Sequence, residues 1–108
     1  MQRVLVTGAA GYIGRRAVPQ LLKVGFEVVA TGRGGRPDWL PAEAEWVAAD
    51  LCVAEGAAAL VSGARPSHLL HLAWYTEHGK FWNSPENLAW VTAGTVLLQA
   101  FRDSGGVR

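Results

Sequence analysis

Val4-Leu5-Val6-Thr7-Gly8-Ala9-Ala10-Gly11-Tyr12-Ile13-Gly14-Arg15 is the stretch that decides the fold. A short apolar run leads into Thr7-Gly8. Gly11 and Gly14 follow at three-residue intervals, and a helical pattern continues through Val18, Leu21 and Leu22. Strand, glycine turn and helix, in that order, set an anion against a helix N-terminus. Gly8 permits the tight exit from the strand. Gly11 lets backbone approach a pyrophosphate, and Gly14 lets the helix pack closely on the sheet. The stretch therefore implies a dinucleotide-holding βα unit, on the strength of its strand–turn–helix context rather than of the glycines alone. A nucleotide triphosphatase loop is disfavoured, because no Gly-Lys-Ser/Thr follows.

Outward from that turn the chain alternates strand and helix. Gln2–Thr7 reads as a buried strand and Tyr12–Val24 as a helix with Ile13, Ala17, Leu21 and Val24 on one face. Pro19 lies inside that helix and is expected to kink it or loosen its first turns. Phe26–Thr31 is a second strand, ending in the loop Gly32-Arg33-Gly34-Gly35-Arg36-Pro37. Glu45–Ala49 is a third strand, closed by Asp50-Leu51. Val53–Val61 reads as a helix weakened by Gly56, by about 1 kcal/mol relative to alanine. Ser67–Ala73 is a fourth strand, apolar enough to be covered on both faces. Ser84 and Pro85 suit the cap and first position of a long helix reaching about Asp103, with Leu88, Val91, Thr95, Leu98 and Phe101 near one face. Val107-Arg108 reads as the start of a fifth strand. Right-handed crossovers make this an α/β doubly wound parallel sheet of the Rossmann type, in the order 3-2-1-4 and truncated after about four strands.

Composition narrows the function classes. A chain of 108 residues is one domain at most, and half of its residues are hydrophobic. Ten basic and nine acidic residues leave a formal charge of +1, with no electrostatic footprint for nucleic acid or a membrane surface. A strand begins within three residues of Met1, which leaves no room for a signal peptide. Cys52 is the single cysteine, so an internal disulfide is excluded and a reducing cytoplasm is expected. Its thiol is expected to be a small, buried, inert side chain.

The end of the second strand bears on the cofactor. An acid there accepts hydrogen bonds from ribose hydroxyls and favours NAD. Here the tip is Ala30-Thr31-Gly32-Arg33. Glycine leaves room for a 2′-phosphate and Arg33 can pair with it bidentately, with Arg36 and Arg15 as helpers, so NADP is preferred over NAD. Solvated loop arginines are the alternative. Asp50 can accept from an adenine amine while Leu51 packs on the ring; Asp50 as the cap of the following helix is the competing role.

Four motifs in order, Thr7-Gly8-x-x-Gly11-x-x-Gly14, Asp50-Leu51, His71-Leu72-Ala73 and Gly94-Thr95-x-x-Leu98-Gln99-Ala100, resemble the extended short-chain dehydrogenase/reductase family. This is the NAD(P)-dependent epimerase/dehydratase group, and the chain resembles its N-terminal third. The resemblance implies that Thr7, Gly8, Gly11, Tyr12, Ile13 and Gly14 contact the pyrophosphate. It implies adenine contacts for Asp50 and Leu51, and a lining near the central riboses from Leu72, Ala73 and Trp74. Residues 1–108 would then be the NAD(P)-binding part, with catalytic and substrate-binding parts outside this chain. The implied activity of the parent is hydride transfer on a nucleotide-sugar-like substrate, and a homo-oligomer is compatible with it. The stretch Leu72–Lys80 with Asn87-Leu88 resembles members that reduce a keto group on a nucleotide-linked deoxysugar. A non-catalytic NADP-binding redox sensor and an NADP-dependent ketone reductase of the same fold remain alternatives.

The chain departs from the family in two places. Val91 stands where many members carry Asn, three residues before the Gly-Thr pair. The family's Tyr-x-x-x-Lys pair, in which lysine lowers the tyrosine's pKa for proton exchange, is not in this sequence. Tyr12 lies in the glycine turn, and Tyr75 and Lys80 are five apart in an expected loop, so no catalytic residue is assigned. His68 and His71, three apart on a strand, point to opposite faces and cannot share a metal. Trp74, Tyr75, His78 and Trp82 sit where a substrate would approach, or else cover the core.

Overall fold

A computed structural model describes residues 2–73 and 86–108. Four parallel strands, β1 (Arg3–Thr7), β2 (Glu27–Gly32), β3 (Glu45–Ala48) and β4 (His68–His71), form one sheet in the order β3-β2-β1-β4. The expected order therefore holds. Three helices connect and cover them: α1 (Tyr12–Lys23), α2 (Ala54–Ala64) and α3 (Glu86–Asp103). The register is continuous across the sheet, with Thr7 opposite both Thr31 of β2 and His71 of β4. Beyond α3, the amide of Val107 donates to the Ser67 carbonyl and that of Leu69 to the Arg108 carbonyl. Residues 107–108 thus run beside β4, where the expected fifth strand would begin, but are not themselves part of the four-stranded sheet.

Strand periodicity divides the core in two. Val4, Val6, Val28 and Ala30 face α1, with Val18, Leu40 and Ala44. Leu5 and Val29 face the opposite way, onto Leu60, Val61, Trp90, Ala93 and Leu97 of α2 and α3. Alternate residues of each strand point to opposite faces, so a sheet covered on both sides reads as an unbroken apolar run.

Two helix faces differ from expectation. On α1 the buried residues are Gly14 and Val18, whereas Ile13 and Val24 are exposed. The small Gly14 is what lets α1 approach the sheet, so the burial stripe is centred on it rather than on the bulkier neighbours. On α3 the core is made by Trp90, Ala93, Leu97 and Phe101, while Leu88, Val91 and Leu98 are exposed. Apolar residues occur around much of α3, and spacing alone does not select the side that packs on α2. Pro19 lies inside a continuous α1 on its exposed side. The bond it deletes would have run to Arg15, which is also exposed, where water can reach the carbonyl.

Two single-residue expectations also change. Cys52 is exposed, not buried, at the turn between β3 and α2. Gly56 is a close-approach residue: a Cβ there would lie 2.6 Å from the Asp50 carbonyl oxygen. Its cost in helix propensity is offset by letting the first turn of α2 pack on the end of the preceding strand segment.

Candidate cofactor cleft

The glycine turn sits at the carboxyl ends of β1, β2 and β4, where ligands of open α/β sheets bind. Gly8 has φ +64°, in the left-handed region. A Cβ on it would lie 2.7 Å from the Ala73 amide nitrogen and 2.8 Å from the Leu72 carbonyl carbon. Both conformation and space therefore require glycine. The Gly11 amide donates to the Gly8 carbonyl at 3.0 Å, closing the turn, and Gly11 is the N-cap of α1. That cap supplies no side-chain hydrogen bond, and the first turn of α1 holds no acid. The N-terminal amides of α1 and its positive dipole end are thus left to an incoming anion. Beneath them, a Cβ on Gly14 would lie 2.6 Å from both Cα and the carbonyl oxygen of Ala9.

The cleft above the turn has a volume of about 430 Å³ and is bordered by Gly8, Gly11, Ile13, Arg33, Ala73 and Trp90, with Tyr12, Gly32 and Leu72 also at its wall. A recess on the other side of Gly11 and Tyr12 is edged by Arg15 and Arg16. No acid lines either space among the described residues. Arg16 lies over the Tyr12 ring, 4.4 Å from its centroid, and Arg15 over the Trp39 ring at 6.0 Å.

The structure brings most of the sequence-assigned residues to this one place. Gly8, Gly11, Tyr12, Ile13, Arg33, Leu72 and Ala73 line the cleft. Thr7 and Gly14 are buried beneath it and do not line it. Leu51 is buried and belongs to the core, with one side on a recess between the β3–α2 turn and α3 that also includes Cys52, Ala89, Thr92 and Val96. Asp50 is exposed, and its Oδ1 accepts the Cys52 amide at 3.0 Å. It is not the cap of α2, whose N-cap is Val53. Its carboxylate closes a local turn and keeps a second oxygen for other donors.

Arg36 is diverted from the helper role. Its guanidinium donates to the carbonyls of Ala44 at 3.0 Å, Pro41 at 2.8 Å and Leu40 at 3.4 Å. Three backbone acceptors occupy it as a surface staple of the segment after β2. Trp74, Tyr75, His78, Lys80, Trp82, Ser84 and Pro85 lie outside the described residues. Sequence reasoning missed two cleft residues, Ala10 within the glycine turn and Trp90 on α3. For Trp90 spacing gives no decisive signal, because Leu88, Val91 and Leu98 make an equally apolar stripe on the same helix.

His68 and His71 point to opposite faces, as the strand period requires. His68 meets the ring of Phe26 edge-on, and His71 Nδ1 lies 2.6 Å from Thr7 Oγ1. No cluster of metal-binding side chains occurs among the described residues. Burial lowers the pKa of His71 from its ordinary value by desolvating the imidazolium. The unfolded chain therefore binds the proton more readily than the folded one. Stability is level above the ordinary histidine range, falls as pH drops through it toward the lowered pKa, and levels again below. Urea unfolding between pH 8 and 5 should show that decline in wild type and a smaller one in His71→Gln. Equal slopes would refute the assignment to His71.

Fold and turn define a Rossmann-type unit with a glycine cradle at the carboxyl edge of its sheet. The chain belongs to the NAD dependent epimerase/dehydratase family, whose description matches residues 4–108. It is similar to UDP-glucose 4-epimerase of Thermus thermophilus, whose crystal structure is a complex with NAD. The identity is 30%, with a TM-score of 0.84 over 96% of this chain and 35% of that one. A mutated uronate dehydrogenase matches at 29% identity and a TM-score of 0.75, over 97% of this chain and 36% of that one. An uncharacterised protein of Mycobacterium tuberculosis is 40% identical over 72 residues, 67% of this chain and 8% of the relative. The chain thus spans about a third of the solved enzymes and a small part of the mycobacterial relative. No helix among the described residues is long and apolar enough to cross a membrane.

Proposed function

We propose that residues 1–108 are the cofactor-holding part of an NADP-preferring oxidoreductase or epimerase acting on a nucleotide-sugar-like substrate in the cytoplasm. The observation that carries the cofactor preference is Arg33 on the wall of the glycine cleft, beside a strand tip, Gly32, that has no side chain. A carboxylate at that tip would repel a 2′-phosphate; a guanidinium offers it paired donors.

The residues present fit the dinucleotide, because the cradle is built where a Cβ would fill it. Gly8 and Gly11 give backbone access to the pyrophosphate, the first turn of α1 donates amides, and Thr7 and Gly14 set the turn from below. Tyr12, Ile13, Leu72 and Ala73 shield the cofactor's middle from water. Asp50 and Leu51 receive the adenine, and the family resemblance gives Trp74, outside the described residues, a role near the central riboses. The bound cofactor supplies hydride exchange at the nicotinamide. This chain's residues hold and orient it, and no proton-transfer residue is assigned among them.

Titration of the chain with NADPH and NADH tests the reading. NADPH should bind more tightly, and Arg33→Ala should weaken NADPH about tenfold or more, the loss of one charge-assisted contact, while leaving NADH unchanged. Equal binding of the two cofactors by wild type would sink the preference.

A further inference from the structure

We infer that Trp46 is the positioning residue for cofactor selectivity: it fills the space above Gly32 and anchors the loop that carries Arg33. The inference rests on the NADP preference proposed above. Trp46 lies on β3, in register with Ala30 of β2, so its side chain emerges on the α1 face beside the strand tip. A Cβ on Gly32 would lie 2.8 Å from Cη2 and 3.3 Å from Cζ2 of the Trp46 ring. The indole thus occupies the room that any side chain at position 32 would need.

The same ring holds the loop. Trp46 Nε1 donates to the Gly34 carbonyl at 3.1 Å, one residue past Arg33. Arg36 fastens the far end of the loop to the carbonyls of Ala44, Pro41 and Leu40. Gly34 and Gly35 themselves have open space where a Cβ would go, so neither is required by packing. A glycine-rich loop loses much conformational entropy on ordering, and here two side-chain anchors bracket Arg33. Arg33 is exposed, and its own guanidinium has no hydrogen bond among those described. Its backbone is therefore placed in advance while its donors stay open to a ligand. Preorganisation of this kind strengthens only the contact that Arg33 makes, the one to a 2′-phosphate.

This arrangement also predicts how selectivity resists change. An acid at position 32, the simplest route toward NAD, meets the indole before it meets a ribose. Gly32→Asp alone should leave NADH binding no better than in wild type. Gly32→Asp combined with Trp46→Ala should bind NADH more tightly than Gly32→Asp alone.

The test uses 2′,5′-ADP and 5′-AMP as probes, titrated calorimetrically into the chain. Their affinity ratio reports the 2′-phosphate contact separately from adenine and the glycine turn. Trp46→Phe keeps most of the ring and loses the N–H; Gly32→Ala keeps the tryptophan and displaces it. Each should lower the ratio about two- to tenfold, with 5′-AMP affinity unchanged. Arg33→Ala should abolish the ratio. Wild type binding both probes equally, or neither, overturns the NADP reading and this inference together. Selectivity present in wild type, lost in Arg33→Ala, but kept in either Trp46→Phe or Gly32→Ala overturns this inference alone. Gly32→Ala retains every native side chain, so a failure of the Trp46 variant to fold does not remove the test.

Discussion

Gly8→Ala is expected to destabilise the chain by about 2–5 kcal/mol, from a strained backbone and an overpacked contact together. It should also remove NADPH binding. Gly8 has φ +64°, which a β-carbon disfavours, and the added carbon would meet the backbone of Leu72 and Ala73 at 2.7–2.9 Å. Backbone at the end of β4 has no rotamer by which to yield. Relief must come from parting β1 and β4 at their carboxyl ends, and that movement opens the wall of the cleft. Gly34→Ala is the control, because nothing lies within 4 Å of its would-be Cβ. It should change stability by no more than about 0.5 kcal/mol. Urea midpoints of the two variants that coincide would refute the close-approach account.

This contrast between glycines shows what a sequence makes visible. Spacing and context identify Gly8, Gly11 and Gly14, because a strand and a helix must be joined there in one tight turn. Gly56 carries no such context. Its requirement comes from the Asp50 carbonyl, brought near only once β3 and α2 have packed. The sheet order was legible for the same reason as the turn: apolar runs of strand length alternate with helical periods, and right-handed crossovers leave few topologies. The buried side of α3 was not legible. Leu88, Val91 and Leu98 look as apolar as Trp90, Ala93 and Leu97, and only contact with α2 and the sheet separates them. Arginines were the least legible. Arg33, next to the strand tip, lines the cleft where its position in the loop put it, but Arg36, expected as its helper, is spent on three carbonyls. That distinction depends on where the segment 40–44 folds back, which local sequence does not state.

Thr7→Val is the second large effect expected, a loss of about 2–5 kcal/mol with little change in side-chain shape. Thr7 is wholly buried at the end of the central strand. Its Oγ1 accepts the amides of Leu72 at 3.0 Å and Ala73 at 3.2 Å. With two donors already on the oxygen, its own proton goes to His71 Nδ1 at 2.6 Å. Nδ1 is then an acceptor, and the neutral ring carries its proton on Nε2. Burial, which lowers the pKa of His71, favours the same neutral ring. Valine removes all three bonds. Leu72 keeps its amide bond to the Thr7 carbonyl, but the Ala73 amide and His71 Nδ1 lose the partners described here. Both groups are part-buried, and each left without its partner costs about 1–3 kcal/mol. Thr7→Ser keeps the hydroxyl and loses one methyl, so it should cost about 1 kcal/mol. The functional consequence follows from position: the hydroxyl ties β4 to β1 next to Gly8, and Leu72 and Ala73 form one wall of the cleft. Thr7→Val should therefore weaken NADPH although Thr7 touches no part of the cleft, and Thr7→Ser should not. Valine and serine variants of equal stability would show that the hydroxyl carries none of this, and that the wall is held by packing alone.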